Sequence, residues 1–535
     1  MNIKSKVSAL LTTLITLTSI VEVVGQTLPR MIVCVNVKGL RTDILSQYRS
    51  SFEENGFNTL YRDGIIIPQL VFDFDLHDPV CAIASIYTGT YPQTHKIVTK
   101  LTYNEDVQIA GSVFYDKRFD GIFTQQHLSP LALKSETLSD VLQMESLGKA
   151  LTISVAAEPE DALASAGSES DAAIWIDPKS GNWCTSGFYG SLPQSIAQLN
   201  TSQLARKNIQ GALWSSHSLK DASRLLPYNG GAMNFEYSFS SPKGIENFIS
   251  SPLANNRVIE LAQHIIGEEA KNSSLLPTLL TLTLNVRGSV DGHLFSDYSI
   301  ETYDSYKRTN DDIASLIQSL DRTVGRNRYV LMLCSAPGSI PIPERRQSTT
   351  ARRVTTTFVP DRCMALTNMY LTAMYGRNTW VKEIRDGILF LNREAIEKAG
   401  LTVANIREKV ASFIAEMEGV EAAIPALSNP NNLSRRHRRM LLGQAIDPKA
   451  DVLIFLHSAT LTSGGRNYNH QRVSGAIISG PAFFLIPKTS PLKLERPIDA
   501  LSLAPTIAYI LRIRPPTDAL APPITEIQNI TDHTE

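Results

Sequence analysis

Asp73, Asp75, His77 and Asp78 stand together just ahead of Pro79, and their side chains are of the kinds that bind a cation or move a proton. With His95 they could build a metal site, since carboxylate oxygen and imidazole nitrogen are the usual donors to zinc. A second reading of the same stretch takes precedence: Val71, Phe72, Asp73, Phe74 and Asp75 alternate apolar and polar, the pattern of a half-buried strand with its polar side chains outward. The five cysteines, Cys34, Cys81, Cys184, Cys334 and Cys363, have neither CxxC nor zinc-knuckle spacing. Their odd number leaves at least one free thiol, and no disulfide framework is expected. Cys34 and Cys334 lie in apolar runs and read as small buried hydrophobes. A GxSxG elbow, a P-loop, a GxGxxG turn and HExxH are all absent, which removes the commonest short-motif enzymes. Two basic clusters, one of Arg345, Arg346, Arg352 and Arg353 and one running from Arg435 to Arg439, read as solvated loops. The alternative is contact with an anionic surface such as lipopolysaccharide or phospholipid.

The 51 Lys+Arg and 52 Asp+Glu leave a formal charge of −1, which argues against a nucleic-acid partner held by bulk charge. A chain that is 43% hydrophobic and 19% charged can build a large core. Lys4 and Lys6 precede an apolar run from Val7 to Ile20, and small and apolar residues lead to Gly25. Residues 1–25 therefore read as a signal peptide, and the mature protein is expected to be periplasmic or secreted. No later stretch approaches the ~18 to 20 apolar residues that cross a bilayer, so no transmembrane segment is expected in the mature chain.

These candidate residues must be carried by elements, and the elements alternate. Strands are expected at Met31–Val37, Ala150–Val155, Ala172–Ile176, Leu279–Val286, Tyr329–Leu333 and Val452–Leu456, each apolar on both faces. Helical spacing joins Val258, Leu261, Ala262, Ile265 and Ile266, and again Ile313, Leu316, Ile317, Leu320 and Val324. The order implies an α/β/α sandwich with a mostly parallel central sheet, whose ligands would bind beyond the carboxyl ends of the strands. From about Pro341 the rhythm changes to a helix at Met364–Tyr375, a strand at Ile388–Leu391 and a helix at Val403–Met417. The expected organisation is a core over 26–340, an inserted α+β subdomain over 341–448, and the rest of the core over 449–535, with the sheet resuming at Asp451.

The Lys38-Gly39-Leu40-Arg41 turn, then Ala84-Ser85-Ile86-Tyr87-Thr88-Gly89 with Pro92, His95 and Ile97, resembles the alkaline phosphatase superfamily. The resemblance is nearest to the PafA-like phosphatases and the nucleotide pyrophosphatase/phosphodiesterases. It continues through Asp171 to Trp175, Gly292-His293, Ser335 to Gly338, Phe358 to Pro360, Leu389 to Arg393 and Ala504 to Thr506, spanning nearly the whole mature chain.

The resemblance implies two zinc ions and a Thr or Ser nucleophile. Carried over residue by residue, it places Lys38 where the first strand should present a metal-binding Asp, and Pro79 at the nucleophile position. The Asp and His expected after Leu279–Val286 fall on Ser289 and His293, the next Asp-His pair on Ala336 and Pro337, and the late His on Arg472. Six of these seven side chains are unsuited to the role; only His293 remains, and it reads as hydrogen-bonded packing. The substrate-contacting positions have also changed, to Lys100, Glu158 and Glu160. Cations stand where metals would be, and carboxylates stand where the family is cationic. This sign reversal implies a cleft closed by salt bridges; the alternative is that Lys38, Lys100 and Arg472 hold an anionic ligand.

The expected function is that of an exported pseudoenzyme without cofactor, binding or scaffolding a protein or anionic partner. The alternative is an active phosphomonoesterase or phosphodiesterase with a relocated metal site.

Overall fold

Met31 to Val37 has no polar face until Asn36, and a strand of that kind must be covered on both sides. It forms the middle of the central sheet. The computed structural model describes residues 28–104, 109–200, 204–216, 234–272, 276–291, 293–295, 299–338, 356–385, 387–457, 460–462, 472–473 and 479–533. The expected signal peptide and the cluster Arg345, Arg346, Arg352 and Arg353 lie outside these residues.

The chain lays down β1 (Met31–Lys38), β2 (Ile65–Val71), α1 (Pro79–Thr88), β3 (Leu151–Val155), α2 (Pro159–Ala166), β4 (Ala172–Ile176), α3 (Leu253–Lys271), β5 (Thr278–Asn285), α4 (Ile300–Thr323) and β6 (Tyr329–Ala336). It then builds a lobe from α5 (Pro360–Tyr375), β7 (Val381–Arg385), β8 (Ile388–Leu391), α6 (Val403–Ala415), β9 (Val420–Pro425), α7 (Arg435–Leu442) and β10 (Val452–Leu456), and returns as β11 (Ser479–Leu485).

The main sheet has eleven strands among the described residues, with β2, β11, β6, β1, β5, β3 and β4 in that order at its centre. From β6 to β4 the pairing is parallel; β11 lies antiparallel between β6 and β2. Alternation along β1 divides the core. Met31, Val33, Val35 and Val37 pack with Val258 and Leu261 of α3 and Ile313 and Leu316 of α4. Ile32 and Cys34 face the other way, onto Ile83 of α1 and Leu163 of α2. Each such aliphatic side chain contributes about 2 kcal/mol on burial, so β1 is among the hardest elements to displace. All five cysteines are buried, and none is in a disulfide.

The lobe has its own four-stranded sheet, ordered β7, β8, β10, β9 and antiparallel throughout. This corrects the expected return to the main sheet at Asp451: Val452–Leu456 pairs with β8 and β9, and the main sheet resumes at Ser479. An apolar five-residue run satisfies either sheet equally, so its partner is decided by where α7 leaves the chain. Asp451 is fully buried, accepting from the backbone N–H of Leu391 at 2.8 Å and pairing with Arg407 at 2.8 Å and Arg393 at 3.2 Å.

The second basic cluster is a helix rather than a loop. Ser434 caps it by accepting from the His437 N–H at 3.2 Å, and Met440 and Leu441 anchor it against Ile424 and Phe455. Its arginines meet carboxylates, Arg439 with Asp73 at 3.1 Å and Arg436 with Glu421.

Breaking a buried ion pair on one side leaves an uncompensated charge. Asp451→Ala is therefore expected to cost about 3 to 5 kcal/mol in a denaturant titration; a cost below about 1 kcal/mol would show that Arg393 and Arg407 rehydrate freely.

Candidate functional site

The alternation that buries Ile32 and Cys34 toward α1 and α2 carries on to Asn36 and Lys38. Asn36 donates to the Tyr87 hydroxyl at 3.1 Å and to the Leu282 carbonyl at 3.3 Å, fastening the strand end to α1 and to β5. One pleat further on, the Lys38 ammonium reaches the first turn of α2. It is paired with Glu158 and, at 2.5 Å, with Asp161. Glu158 is the residue at the helix N-cap and Asp161 follows three residues later, so one helical turn presents both carboxylates to one ammonium. Anionic side chains at this end also complement the helix dipole. Lys100 closes the other side, donating to Glu158 at 2.7 Å from a side chain that is 42% exposed.

Burial opposes the charged form of Lys38, but Asp161 and Glu158 outweigh it and hold its pKa above the ordinary lysine value. Glu158 shows the complementary balance. Burial would raise its carboxyl, yet Lys100 and Lys38 draw it well below the usual range. Lys100 is raised chiefly by Glu158, with Asp78 and Glu160 adding to the negative potential around it. The acids left over behave differently. Burial, offset only in part by Lys38, keeps Asp161 above the carboxylate range. Burial pushes Glu160 up to about 7, against the pull of Lys100.

Pro79 is the first residue of α1, behind Asp78, whose carboxylate caps the helix by accepting from the Val80 N–H at 3.1 Å. A fixed φ and a missing N–H suit that position. Gly338, just past β6, lies so close to the Pro79 ring that a Cβ there would meet the ring Cδ at 2.5 Å. Ala336 and Pro337 are buried beside it, with Ala336 in register with Lys38.

The structure thus brings together Lys38, Lys100 and Glu158, with Glu160 and Asp78 close by. Ser289 goes elsewhere: it begins a hairpin in which Val290 pairs with His293, and its N–H is taken by the Ser250 carbonyl at 2.9 Å, in the layer that holds α3. Arg472 pairs through its backbone with Thr462. The side chains of His293 and Arg472 lie outside the described residues.

The relocated site is not assembled either. His95 is buried, accepts from the Ile97 N–H at 3.1 Å through Nδ1 and donates through Nε2 to Ser85 at 2.8 Å; burial pushes its pKa down to about 3. Both ring nitrogens are occupied. The expected strand through Asp75 also stops short, because β2 ends at Val71. Beyond it the burial still alternates, with Phe72, Phe74 and Leu76 inside, but the Asp75 N–H goes to the Arg439 carbonyl at 3.2 Å. The acids there face the arginines of α7.

Asp161 was missed from the sequence. Its signal was the spacing from Glu158, three residues along a helix that opens with proline.

As donors, these residues do not fit a two-zinc centre. A protonated lysine has no lone pair to give, Pro79, Ala336 and Pro337 have no donor atom, and Glu158 and Asp161 are already engaged by Lys38.

Residues 32–438 match the type I phosphodiesterase / nucleotide pyrophosphatase family. The alkaline phosphatase PhoV of Synechococcus elongatus is 23% identical to this chain, over 93% of each. A protein of Myroides odoratus named as a calcium-transporting ATPase is 24% identical, over 93% of this chain and 94% of its own. The crystal structure of the alkaline phosphatase PafA shares the fold, with a TM-score of 0.77 at 20% identity, over 93% of this chain and 98% of that one.

Two outcomes follow from the ion cluster. Lys38→Met strands Glu158 and Asp161 without their shared cation, and is expected to cost about 3 to 5 kcal/mol near pH 8 in chemical denaturation. The loss shrinks at pH 5, where Asp161 takes up a proton. Glu160 has a folded pKa raised above its unfolded value, so the folded form binds the extra proton; its contribution to stability is present at low pH and falls as pH rises from about 4.5 to about 7. Glu160→Gln should flatten that slope and gain roughly 2 to 3 kcal/mol over the parent between pH 5 and pH 8. Parallel stability curves for the two proteins would show that Glu160 titrates normally.

Proposed function

Because the chain belongs to the type I phosphodiesterase / nucleotide pyrophosphatase family and has the alkaline-phosphatase-like fold, we propose that it is an exported member that binds or scaffolds rather than hydrolyses. The observation that carries this reading is the pairing of Lys38 with Glu158 and Asp161 at the carboxyl end of the central strand. In a sheet of this type that is where ligands are received. Lys38 and Lys100 together balance Glu158 and Asp161, two ammonium groups against two carboxylates, which leaves no free cation among them for a phosphate dianion and no free carboxylate among them for a metal. The same pairing favours an internally closed cleft over one in which Lys38 and Lys100 hold an anion. Export is supported by the basic and apolar pattern of the first 25 residues. Among the described residues no helix is long and apolar enough to cross a membrane.

The opposing reading, an active phosphoric ester hydrolase, draws on the names of its relatives, and fold alone is a weak warrant for activity. One experiment separates the two. The purified chain is exposed to zinc, freed of excess, and assayed for bound metal and for hydrolysis of p-nitrophenyl phosphate and bis-p-nitrophenyl phosphate. Bound zinc near zero with no turnover is expected. About two tightly held zinc ions per chain together with turnover would place a working bimetal centre here and end the proposal. As a companion, Lys38→Asp adds a third carboxylate to Glu158 and Asp161 and should lower stability without metal. A rise in stability would contradict the charge-swap account.

A further inference from the structure

On the face of the sheet opposite Lys38, the residues that line a cavity of about 750 Å3 come largely from α3 and α4, with others from Leu204–Gly211 and Trp183. One part of its wall is apolar, formed by Ile209, Phe248 and Leu261, and the rest carries charged side chains of both signs, among them Asp312, Glu260 and Arg257. Asp312 is 7% exposed, and its one bond is a long contact, 3.4 Å, from the Asn256 amide to Oδ1. Oδ2 has no hydrogen-bond partner among the described residues. Burial, with Asp311 and Glu260 nearby, pushes its carboxyl up to about 7 against the pull of Asn256 and Arg308. Arg308, which also lines the cavity, is committed to Asp304 at 2.6 Å and to the Ser215 carbonyl.

Arg257 is the converse case. Its guanidinium lies 5.5 Å from the centre of the Trp183 ring and makes no ion pair or hydrogen bond with the described residues; burial lowers its pKa, with Glu260 opposing. His264 adds a buried Nε2 with no hydrogen-bond partner. A buried polar atom left unsatisfied like that nitrogen is uncommon in a folded interior and calls for an explanation. These side chains are not a metal site, since among the described residues no group of three His, Cys, Asp or Glu side chains is placed to hold an ion.

We propose that this cavity binds a small zwitterion, an aliphatic amino acid in the chemical sense, whose ammonium is received by Asp312 and whose carboxylate is received by Arg257. The apolar wall of Ile209, Phe248 and Leu261 takes the methylene carbons between them. One free guanidinium matches one negative charge, which favours a carboxylate over a phosphate dianion beside Glu260. The ammonium satisfies the orphaned oxygen of Asp312, and the volume suits a small molecule. This site is separate from the Lys38 cluster and holds whether or not that cluster is catalytically silent.

The test is isothermal titration of the full chain with glycine, β-alanine, 4-aminobutyrate and 6-aminohexanoate, set against n-butylamine and butyrate alone. At least one amino acid should bind ~10-fold or more tightly than either single-charge probe. Arg257→Met should reduce its affinity to that of the amine, and Asp312→Asn should lower it at least ~10-fold. Arg257 is only half-buried, so its variant keeps the test valid if the Asp312 variant folds poorly. Binding of n-butylamine as tight as that of the best amino acid, no binding by any of the four, or unchanged affinity in folded Arg257→Met would each overturn the proposal.

Discussion

The ammonium of Lys38 stands at the carboxyl end of β1, the central strand, and the first turn of α2 is held against it through Glu158 and Asp161. Placing a charge there is expensive, since a buried ion repays its desolvation only when its partners are close and well aligned. The surroundings meet that condition. Asn36 pins the strand end to Tyr87, Lys100 supplies a second cation to Glu158, and the Pro79 ring fills the space against Gly338. Displacing any of these elements would leave a charge in the interior without its counterion. Such a cluster adds little net stability compared with an apolar packing of similar volume, but it ties the first turn of α2 to the end of β1.

Not all the carboxyl groups around this point can be charged together. Two lysines, Lys38 and Lys100, face Asp78, Glu158, Glu160 and Asp161. Glu158 takes the share of both cations, and burial leaves Glu160 near neutrality as an acid. Protonation therefore balances a site where the lysines are outnumbered. The opposite face of the sheet is built differently. There Asp312 and Arg257 line one cavity, and among the described residues neither makes an ion pair. The first arrangement is closed on itself, and the second is open to a ligand of the kind proposed above.

Much of the fold was legible in the residues. Runs apolar on both faces marked β1, β3, β4, β5 and β6, and helical spacing marked α3 and α4, because burial on two sides or on one stripe leaves a periodic trace. The sign reversal at Lys38, Lys100 and Glu158 was visible once the resemblance set those positions side by side, and the ion pairs between them are present. Asp161 was harder to find, since nothing in a lone Asp says which strand end its helix turn will reach. The arginines of α7 read as a solvated cluster because five consecutive polar residues hide the Met440-Leu441 anchor that follows. Val452–Leu456 was assigned to the wrong sheet, as strand character does not encode a partner.

The sequence by itself determined the alternation of strands and helices, the layers that cover the central sheet, and the cation at the end of β1. These follow from local patterning and from which side chains can leave water, and neither depends on distant contacts. The tertiary structure alone decided that Asp161 joins Glu158 on Lys38, that Ser289 is drawn to the other layer by Ser250, and that Asp312 and Arg257 share a cavity. Each of those outcomes depends on how residues far apart in the chain are brought together in space. Side-chain chemistry names the groups that could pair, but the packing of the layers selects which of them do.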